Sequence, residues 1–582
     1  MSPDTDTRTE RIILQAVIAN RLDSIAGEMG LVLERSARSP IFAEACDFAC
    51  GICNARGELV SQLSGIPILA TAGSFSVQAV LERYGDTIED GDAFIVNDPY
   101  CGGNHLPDIG IITPVFAGGK LLFFCVSRAH HGDIGGSAAG SYNPKATEIF
   151  QEGLRIPPLR LVSRGTMAEE VMDLITYNTR NPGMLRSDLL AQTGANRIGR
   201  RRLLEMIEQY SAGVVCRTVG EILDQAEKLA RERITALPEG IFTGVELVDD
   251  DGFQEEPIRI EARVIKKGDS LTVDFSGTDS QVRGFVNTSI VTTTTAACIA
   301  VLWVLGPDVP RNGGSFRAIA VNAPKGSLVN PQPPAPVTLC TLTPAGEVIA
   351  AIFKALAAAV PERIPAGFGR YCGPSFYGVD PRTERFYVGF AFCALGSGGG
   401  MDGLDGSPYM APISNYGGVR TPNIESNEIQ YPHITLWHEM VPDTAGPGRY
   451  RGGPGLRYAI RFYDPEPGIA MFGDGMKIPP YGLDGGEPGS LTKAFLHTRE
   501  GEVPLNSKES PRQLQPGDSV LMLSSGGGGW GSPLERDPEL VLQDVQDGIV
   551  SVEAARKFYG VVIGNSGGDP RVNHFSITSV NR

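Results

Sequence analysis

Glycine and proline set the first limit on what this chain can fold into. The 72 glycines and 42 prolines fill roughly a fifth of its 582 positions, against about 12% in average proteins. Proline fixes φ and removes a backbone donor, and glycine adopts conformations other residues avoid, so many tight turns are expected along the chain. Low complexity would give the same counts, but 42% of the residues are apolar, enough to build packed cores. The expected class is therefore α+β: a multidomain chain of mixed helices and short-stranded sheets, rich in tight glycine loops. A single hydrophobic core does not extend over a chain of this length, so more than one domain is expected.

Apolar periodicity divides the chain. An amphipathic helix is predicted from Glu10 to Arg38, with Ile13, Val17, Leu22, Ile25, Met29 and Val32 on one side and Pro40 beyond its end. Short strands follow at Phe48–Cys53, Ala93–Val96, Ile109–Val115 and Leu121–Ser127, with turn signals at Arg56-Gly57 and Gly118-Gly119. A helical region covers Met167 to Leu237. Alternating strands are read at Ile258–Ile265 and Ser270–Phe275, then the proline-rich run Asn330–Pro336 (NPQPPAP) and a helix over Glu347–Val360. A glycine-rich, strand-rich stretch then reaches about Gly531, and a charged helix pair spans Asp537–Tyr559. Three domains are expected: 1–235 with the candidate site, 236–460 strand-rich around a central helix, and 461–582 ending in the helix pair.

Charge and terminal composition narrow the partners. The net charge is −16, and the one basic run, Arg200–Arg201–Arg202, fits the solvated face of a helix, so nucleic acid is not an expected partner. The first eleven residues are polar, without the apolar centre of a signal peptide. Ile290–Leu305 is the longest apolar stretch, but it is broken by four threonines and too short for a membrane span; it reads as a buried helix or strand pair. Ten cysteines in such a chain are no disulfide scaffold. A cytoplasmic location, away from membranes, is expected.

Several motifs invite chemistry and most lack the context it needs. Cys46, Cys50 and Cys53 have the spacing of an iron–sulfur site, but strand alternation would put Cys46 and Cys50 on one face and Cys53 on the other. Gly-x-Gly-x-x-Gly occurs at Gly398–Gly403 and Gly526–Gly531, where prolines follow instead of the helix that would hold a pyrophosphate; both read as turns. No Gly-x4-Gly-Lys-Ser/Thr is present, so ATP is not expected on this chain by those routes. Gly564–Gly568 matches a nucleophile elbow around Ser566, but Asp569-Pro570 replaces the required helix.

The histidines are more informative. Of seven, three lie in two loops that leave strand-like runs: His105 in Asn97–Ile109 (NDPYCGGNHLPDI), and His130 and His131 in Ala129–Gly136 (AHHGDIGG). Imidazole and carboxylate are ligands for Zn, Mn or Fe, and the His-x-x-Asp pair His105/Asp108 sits in a loop stiffened by Gly and Pro. Two polar turns holding hydrogen-bonded histidines would have the same sequence.

Taken with Asp47-Phe48, Thr147–Pro158 (TEIFQEGLRIPP), Asp274–Thr278 (DFSGT), NPQPPAP, Gly448–Gly453 (GRYRGG) and the tail from Gly528 to Tyr559, these loops resemble the hydantoinase B/5-oxoprolinase family almost end to end. That family includes the smaller subunit of ATP-dependent N-methylhydantoinases and lactamases, and related subunits of ketone carboxylases. The resemblance implies one divalent metal, zinc foremost with Mn or Fe as alternatives, on residues matching Asp47, His105, Asp108 and His130. His131 and Asp133 would orient those ligands. Four protein ligands would close a tetrahedral zinc site, so either the coordination number is higher or one Asp acts from outside.

The resemblance also implies a larger hydantoinase A-type partner that binds ATP with Mg, in an (αβ)2 or similar assembly, and a small cyclic amide as substrate. Glu148, Glu152 and Arg155 are read as a proton carrier and anion clamp, or equally as structural ion pairs. Where relatives often carry a histidine soon after Gly65-Ile66-Pro67, this chain has Ile68-Leu69-Ala70-Thr71, pointing to a different or more apolar substrate. The rival readings are a subunit of an ATP-dependent ketone carboxylase, in which the metal holds an enolate, and a scaffold subunit whose metal only braces the fold.

Overall fold

Residues 3–62, 65–415, 418–565 and 575–581 are described by a computed structural model. Seven antiparallel strands form its first sheet: β1 Phe48–Asn54, β2 Leu59–Gln62, β3 Ala93–Val96, β4 Asp108–Ala117, β5 Lys120–His130, β6 Leu159–Ser163 and β7 Thr166–Met167, in the order β2-β1-β5-β4-β3-β6-β7. β4 and β5 are joined by Gly118-Gly119, both at positive φ, as the two-residue hairpin turn requires. The strands read as nearly continuous apolar runs because both faces are covered. Phe94, Val96, Ile112, Phe124 and Val126 pack with Val77 and Val80 on one side; Ala93, Ile95, Ile109 and Ile111 pack with Leu185 and Leu189 on the other.

The helices around this sheet are α1 Pro3–Ser36, α2 Pro40–Ala43, α3 Pro67–Ala70, α4 Ala72–Tyr84, α5 Glu169–Thr176, α6 Pro182–Tyr210, α7 Ala212–Thr235 and α8 Ile290–Leu305. The predicted helical region therefore resolves into α5, α6 and α7, with Pro182 opening the second. The stretch left open between helix and strand pair is α8, started by Ser289 accepting the Thr292 N–H. On α1 the buried stripe is Ile18, Leu22, Ile25, Met29 and Leu33, whereas Ile13 and Val17 are exposed. The expected stripe was correct from Leu22 to Met29, because each residue turns the helix by about 100° and Ile18, not Val17, and Leu33, not Val32, face inward. Cys46 precedes β1 at φ +55, so it does not share the strand alternation expected for it; Cys50 and Cys53 are buried strand residues.

The molecule divides into two compact units, each drawing on separated segments, in place of three consecutive domains: Met1–Phe242, Ala262–Thr341 and Gly417–Arg420 in the first; Thr243–Glu261, Leu342–Tyr416 and Thr421–Arg582 in the second. The class is α+β, and among the described residues no helix is long and apolar enough to cross a membrane. Arg200, Arg201 and Arg202 form surface ion pairs with Asp90, Glu205 and Glu28. Ser566 of the elbow-like match lies outside the described residues.

In the second unit the glycine runs have a structural purpose that the motif search did not suggest. Gly398–Gly400, Gly452–Gly453 and Gly526–Gly529 are not isolated turns. They interlock, with Gly453 N donating to Gly398 O, Gly527 N to Gly453 O and Gly400 N to Gly528 O at 2.9–3.0 Å. A Cβ on Gly527 would stand 1.9 Å from Gly398 O, so the backbones approach as only glycine permits. The same unit buries a charge centre. Arg370 pairs with Asp474 at 2.5 Å, Glu246 at 3.1 Å and Glu347 at 3.3 Å, and Lys508 pairs with Asp474 at 3.0 Å. Glu347 Oε2 has no partner there, and burial pushes its carboxyl up to about 8 against the pull of Arg370.

Two expectations follow for stability. Gly527→Ala should cost about 3 kcal/mol or more, because backbone on the opposing run cannot yield; calorimetry that leaves the transition in place would refute the interlocking. The raised Glu347 carboxyl keeps a proton in the folded state that the unfolded chain releases near pH 4.5, so its contribution is present below that pH and is lost as pH rises toward 8. Glu347→Gln removes that loss, and its Tm relative to the parent should improve by about 3 °C or more between pH 5 and 8. An equal difference at both pH values would mean that the carboxyl is ionised throughout.

Candidate metal centre

β4 and β5 both extend beyond their apolar runs. Asp108 opens β4, His130 closes β5, and the two stand directly opposite in the antiparallel register. Asp108 and His130 were expected in loops leaving these strands; instead they are the last paired residues of the ladder, whose hydrogen bonding continues past the last aliphatic side chain. One strand over, Phe48 opposes Ala129 and the His130 N–H donates to Asp47 O at 3.0 Å, so Asp47 sits at the same end of the sheet.

His105 arrives from the turn between β3 and β4. Asp98 O accepts from Cys101 N and Gly103 N at 2.9 Å, and the Asn97 side chain donates to Leu106 O and Leu154 O. Asp108 N closes the turn on His105 O at 3.1 Å. Arg128, 1% exposed, ties the turn to the strand by donating to Gly102 O at 3.2 Å and Asp108 O at 3.1 Å, and to Ser76 Oγ.

Three side chains converge. His105 Nε2 lies 2.9 Å and His130 Nδ1 3.1 Å from Asp108 Oδ1, and the two nitrogens are 3.2 Å apart. All three residues are buried. His105 Nδ1 faces Thr338 O at 2.5 Å, an acceptor only, so Nδ1 carries a proton, and Nε2, which faces Asp108 Oδ1, is the nitrogen left for a cation. Asp108 Oδ2 is buried without a partner. Two imidazole nitrogens and a half-satisfied carboxylate turned to one point suit a divalent cation: the donor set is right, and three protein ligands leave a position open. Burial alone would raise Asp108, but His105 and His130 outweigh it and hold the carboxyl well below the usual range; His105 is raised, because the Asp108 charge overcomes its burial.

The other residues singled out from the sequence fall into place around this trio. The Asp47 carboxylate is not part of it, although the charges of His130, Asp108 and His105 all reach it; burial pushes it up to about 6. His131 is turned away, its Nε2 3.0 Å from Gln192 Oε1 and its ring edge on Phe42, with burial lowering it to about 4. Asp133 braces the loop after the histidines, accepting from Gly135 N, Gly140 N and Arg180 N and pairing with Arg180 Nη1 at 2.9 Å. Arg155 pairs with Asp98 at 2.8 Å and lies over Tyr100 and Phe150. Glu148 is exposed. Glu152 is fully buried, accepting from Val337 N at 2.9 Å and Thr338 N at 2.8 Å, and burial pushes it up to about 7 despite those amides.

Sequence reasoning passed over Arg128, Gln192, Asn104, Tyr142 and Thr338. A lone arginine ending an apolar strand was a usable signal for the first. The Tyr142 ring lies 6.1 Å from that of His105 and 6.0 Å from that of His130, with no local pattern to announce it. Asn104 donates to Ile68 O at 3.0 Å, so α3 abuts the His105 turn.

A family model described as hydantoinase B/oxoprolinase matches residues 12–533. The chain belongs to this family. It is 33% identical to the beta subunit of caprolactamase from Pseudomonas jessenii, over 95% of this chain and 97% of that protein. A structure of ATP-dependent caprolactamase from the same organism superposes with a TM-score of 0.89 at 31% identity, covering 96% of this chain and 98% of that one. The B-type subunit of a putative D-/L-hydantoinase from a Pseudomonas strain is likewise 33% identical, over 97% of each chain. Acetone carboxylase, in its nucleotide-free structure, shares the fold with a TM-score of 0.88 at 20% identity, over 98% of this chain and 82% of that chain.

If the trio holds a metal, the purified protein should carry about one equivalent of Zn, Mn or Fe per chain by elemental analysis. His105→Ala and Asp108→Asn should lose it while keeping the parent's circular dichroism. Retention of metal in both folded variants would place the ion elsewhere.

Proposed function

We propose that this chain is the metal-holding, substrate-transforming subunit of a cytoplasmic, ATP-dependent hydrolase of cyclic amides. Hydantoins, 5-oxoproline and other lactams are its substrate class, and ATP with Mg is bound by a larger hydantoinase A-type partner in an (αβ)2 or similar assembly. One observation carries the reading: His105, Asp108 and His130 converge in a buried cluster of three donors, in a chain whose relatives are named caprolactamase and hydantoinase subunits.

Amide resonance makes an unstrained lactam a poor electrophile, which is why activation by ATP in the partner is invoked. His105, Asp108 and His130 would hold the divalent ion, zinc foremost, with Asp47 at the edge of the site as a fourth ligand or as a carboxylate acting from outside. Bound there, the ion would supply Lewis acidity toward the amide oxygen and a lowered water pKa. The protein's own part is placement. Arg128 locks the His105 turn to β4, neutral His131 fixes the end of β5 through Gln192, and Asp133 braces the following loop. Asp47 stands beside the trio, where the charge of a bound cation would favour its ionised form, as a ligand or as a carboxylate acting from outside. Arg155 belongs to the Asp98 ion pair, whereas Glu148 makes no ion pair among the described residues and remains available to substrate or partner. The apolar Ile68-Leu69-Ala70 after Pro67 supports a different or more apolar substrate.

The test is co-expression with the partner subunit and a mass-spectrometric screen of lactams and hydantoins with ATP. Ring opening that needs ATP, and is lost in a folded and assembled His130→Ala complex, is the expected result. Stoichiometric incorporation of bicarbonate into a ketone would replace this reading with carboxylation. Full activity in the His130→Ala complex would leave the metal as a brace only.

A further inference from the structure

The proline-rich run Asn330–Pro336 ends beside the metal centre, and what it brings there is a backbone carbonyl. Pro331, Pro333, Pro334 and Pro336 have no N–H, so Val337 and Thr338 are the first residues after the run to offer two consecutive amides. Both donate to one buried carboxylate, Val337 to Glu152 Oε2 at 2.9 Å and Thr338 to Glu152 Oε1 at 2.8 Å. The Thr338 carbonyl, on the same residue, faces His105 Nδ1 at 2.5 Å. The run is anchored on its other sides as well: Ile149 N donates to Pro334 O at 2.8 Å, Tyr100 Oη to Ala335 O at 2.7 Å and Asn287 Nδ2 to Pro336 O at 3.0 Å.

We propose that Glu152 is a positioning residue for the metal centre: by gripping the Val337 and Thr338 amides it aims the Thr338 carbonyl, which in turn holds His105 as the Nδ1–H tautomer with Nε2 turned toward Asp108 and His130. A carboxylate alone can accept from both amides. A glutamine there has one acceptor oxygen and would turn its NH2 against the second N–H, leaving a buried donor unpaired. Both Glu152 oxygens are occupied by backbone amides, so its action on the centre runs through His105. Outer hydrogen-bond partners of this kind set the tautomer and basicity of ligating imidazoles. The metal half of this inference rests on the reading of the trio as a metal site; the tautomer half does not.

The test uses the full chain with isotope-labelled histidine. Long-range proton–nitrogen correlation reports the tautomer of each imidazole in the metal-free protein, and His105 is assigned by its absence in His105→Gln. The parent should show a proton on His105 Nδ1, with or without a second on Nε2 toward Asp108; an Nδ1 without a proton in the parent overturns the proposal without any variant. In Glu152→Gln the His105 signals should move toward the other tautomer or a mixture, and metal affinity, by chelator competition, should fall about 10- to 100-fold. Glu152→Asp, which keeps the charge but not the reach, should behave in the same direction. Unchanged tautomer and unchanged affinity in the folded variants would also overturn the proposal. A parent that takes up no metal, but whose His105 tautomer changes in Glu152→Gln, would sink the metal reading and leave the positioning role standing.

Discussion

Strand register between β4 and β5 is the constraint on which the site depends. In an antiparallel pair a slip of one residue sends every side chain to the opposite face. Here the pairing begins at the Gly118-Gly119 turn with Ala117 opposite Lys120 and Phe116 opposite Leu121, then steps so that Val115 opposes Phe123. Leu122 is the extra residue of that bulge. Had the pairing run on through Leu122 without the step, Asp108 would face Ala129; with the step it faces His130. The turn and bulge at one end of a long hairpin therefore choose which side chains meet at the other.

Putting a carboxylate and two imidazoles in an enclosed site costs free energy unless each is compensated. The compensation is visible around the trio: Thr338 O takes the His105 Nδ1 proton, and Arg128, buried in the same layer, directs its donors to Gly102 O, Asp108 O and Ser76. The Asp108 Oδ2 atom is left over. Arg128 Nε, Asn104 Oδ1 and Thr338 Oγ1 lack partners as well, so what sets the trio apart from an ordinary hydrogen-bonded pair of histidines is its donor set, two imidazole nitrogens and a carboxylate oxygen within reach of one point.

Much of the fold was legible because its signals are local. The apolar runs located β1, β3, β4, β5, α8 and the helix Ala345–Ala357 to within a few residues, since sheet faces covered on both sides and helices in a core leave continuous or periodic apolar patterns. The α1 stripe was misplaced at its start because Val17 and Ile18 adjoin and periodicity alone does not say which faces the core. The strand ends were cut short because polar residues that remain in the ladder look like loop residues. The glycine runs were read as turns because a sequence shows which residues lack a Cβ but not which backbone has come close enough to need that.

The site divides along the same line. Residue type and spacing are enough to mark His105, Asp108 and His130 as candidate metal ligands in stiff segments at strand ends, and the family resemblance added Asp47 beside them. The packed chain was needed to show that three of the four meet, that Asp47 stands beside them, and that Glu152 reaches the centre through Thr338. The reason is distance along the chain. Glu152 and Val337 are 185 positions apart, and His105 and Thr338 are 233 apart. Hydrogen bonds of that span leave no periodicity for a reader of the sequence to find, because they exist only once the sheet and the proline-rich run have packed.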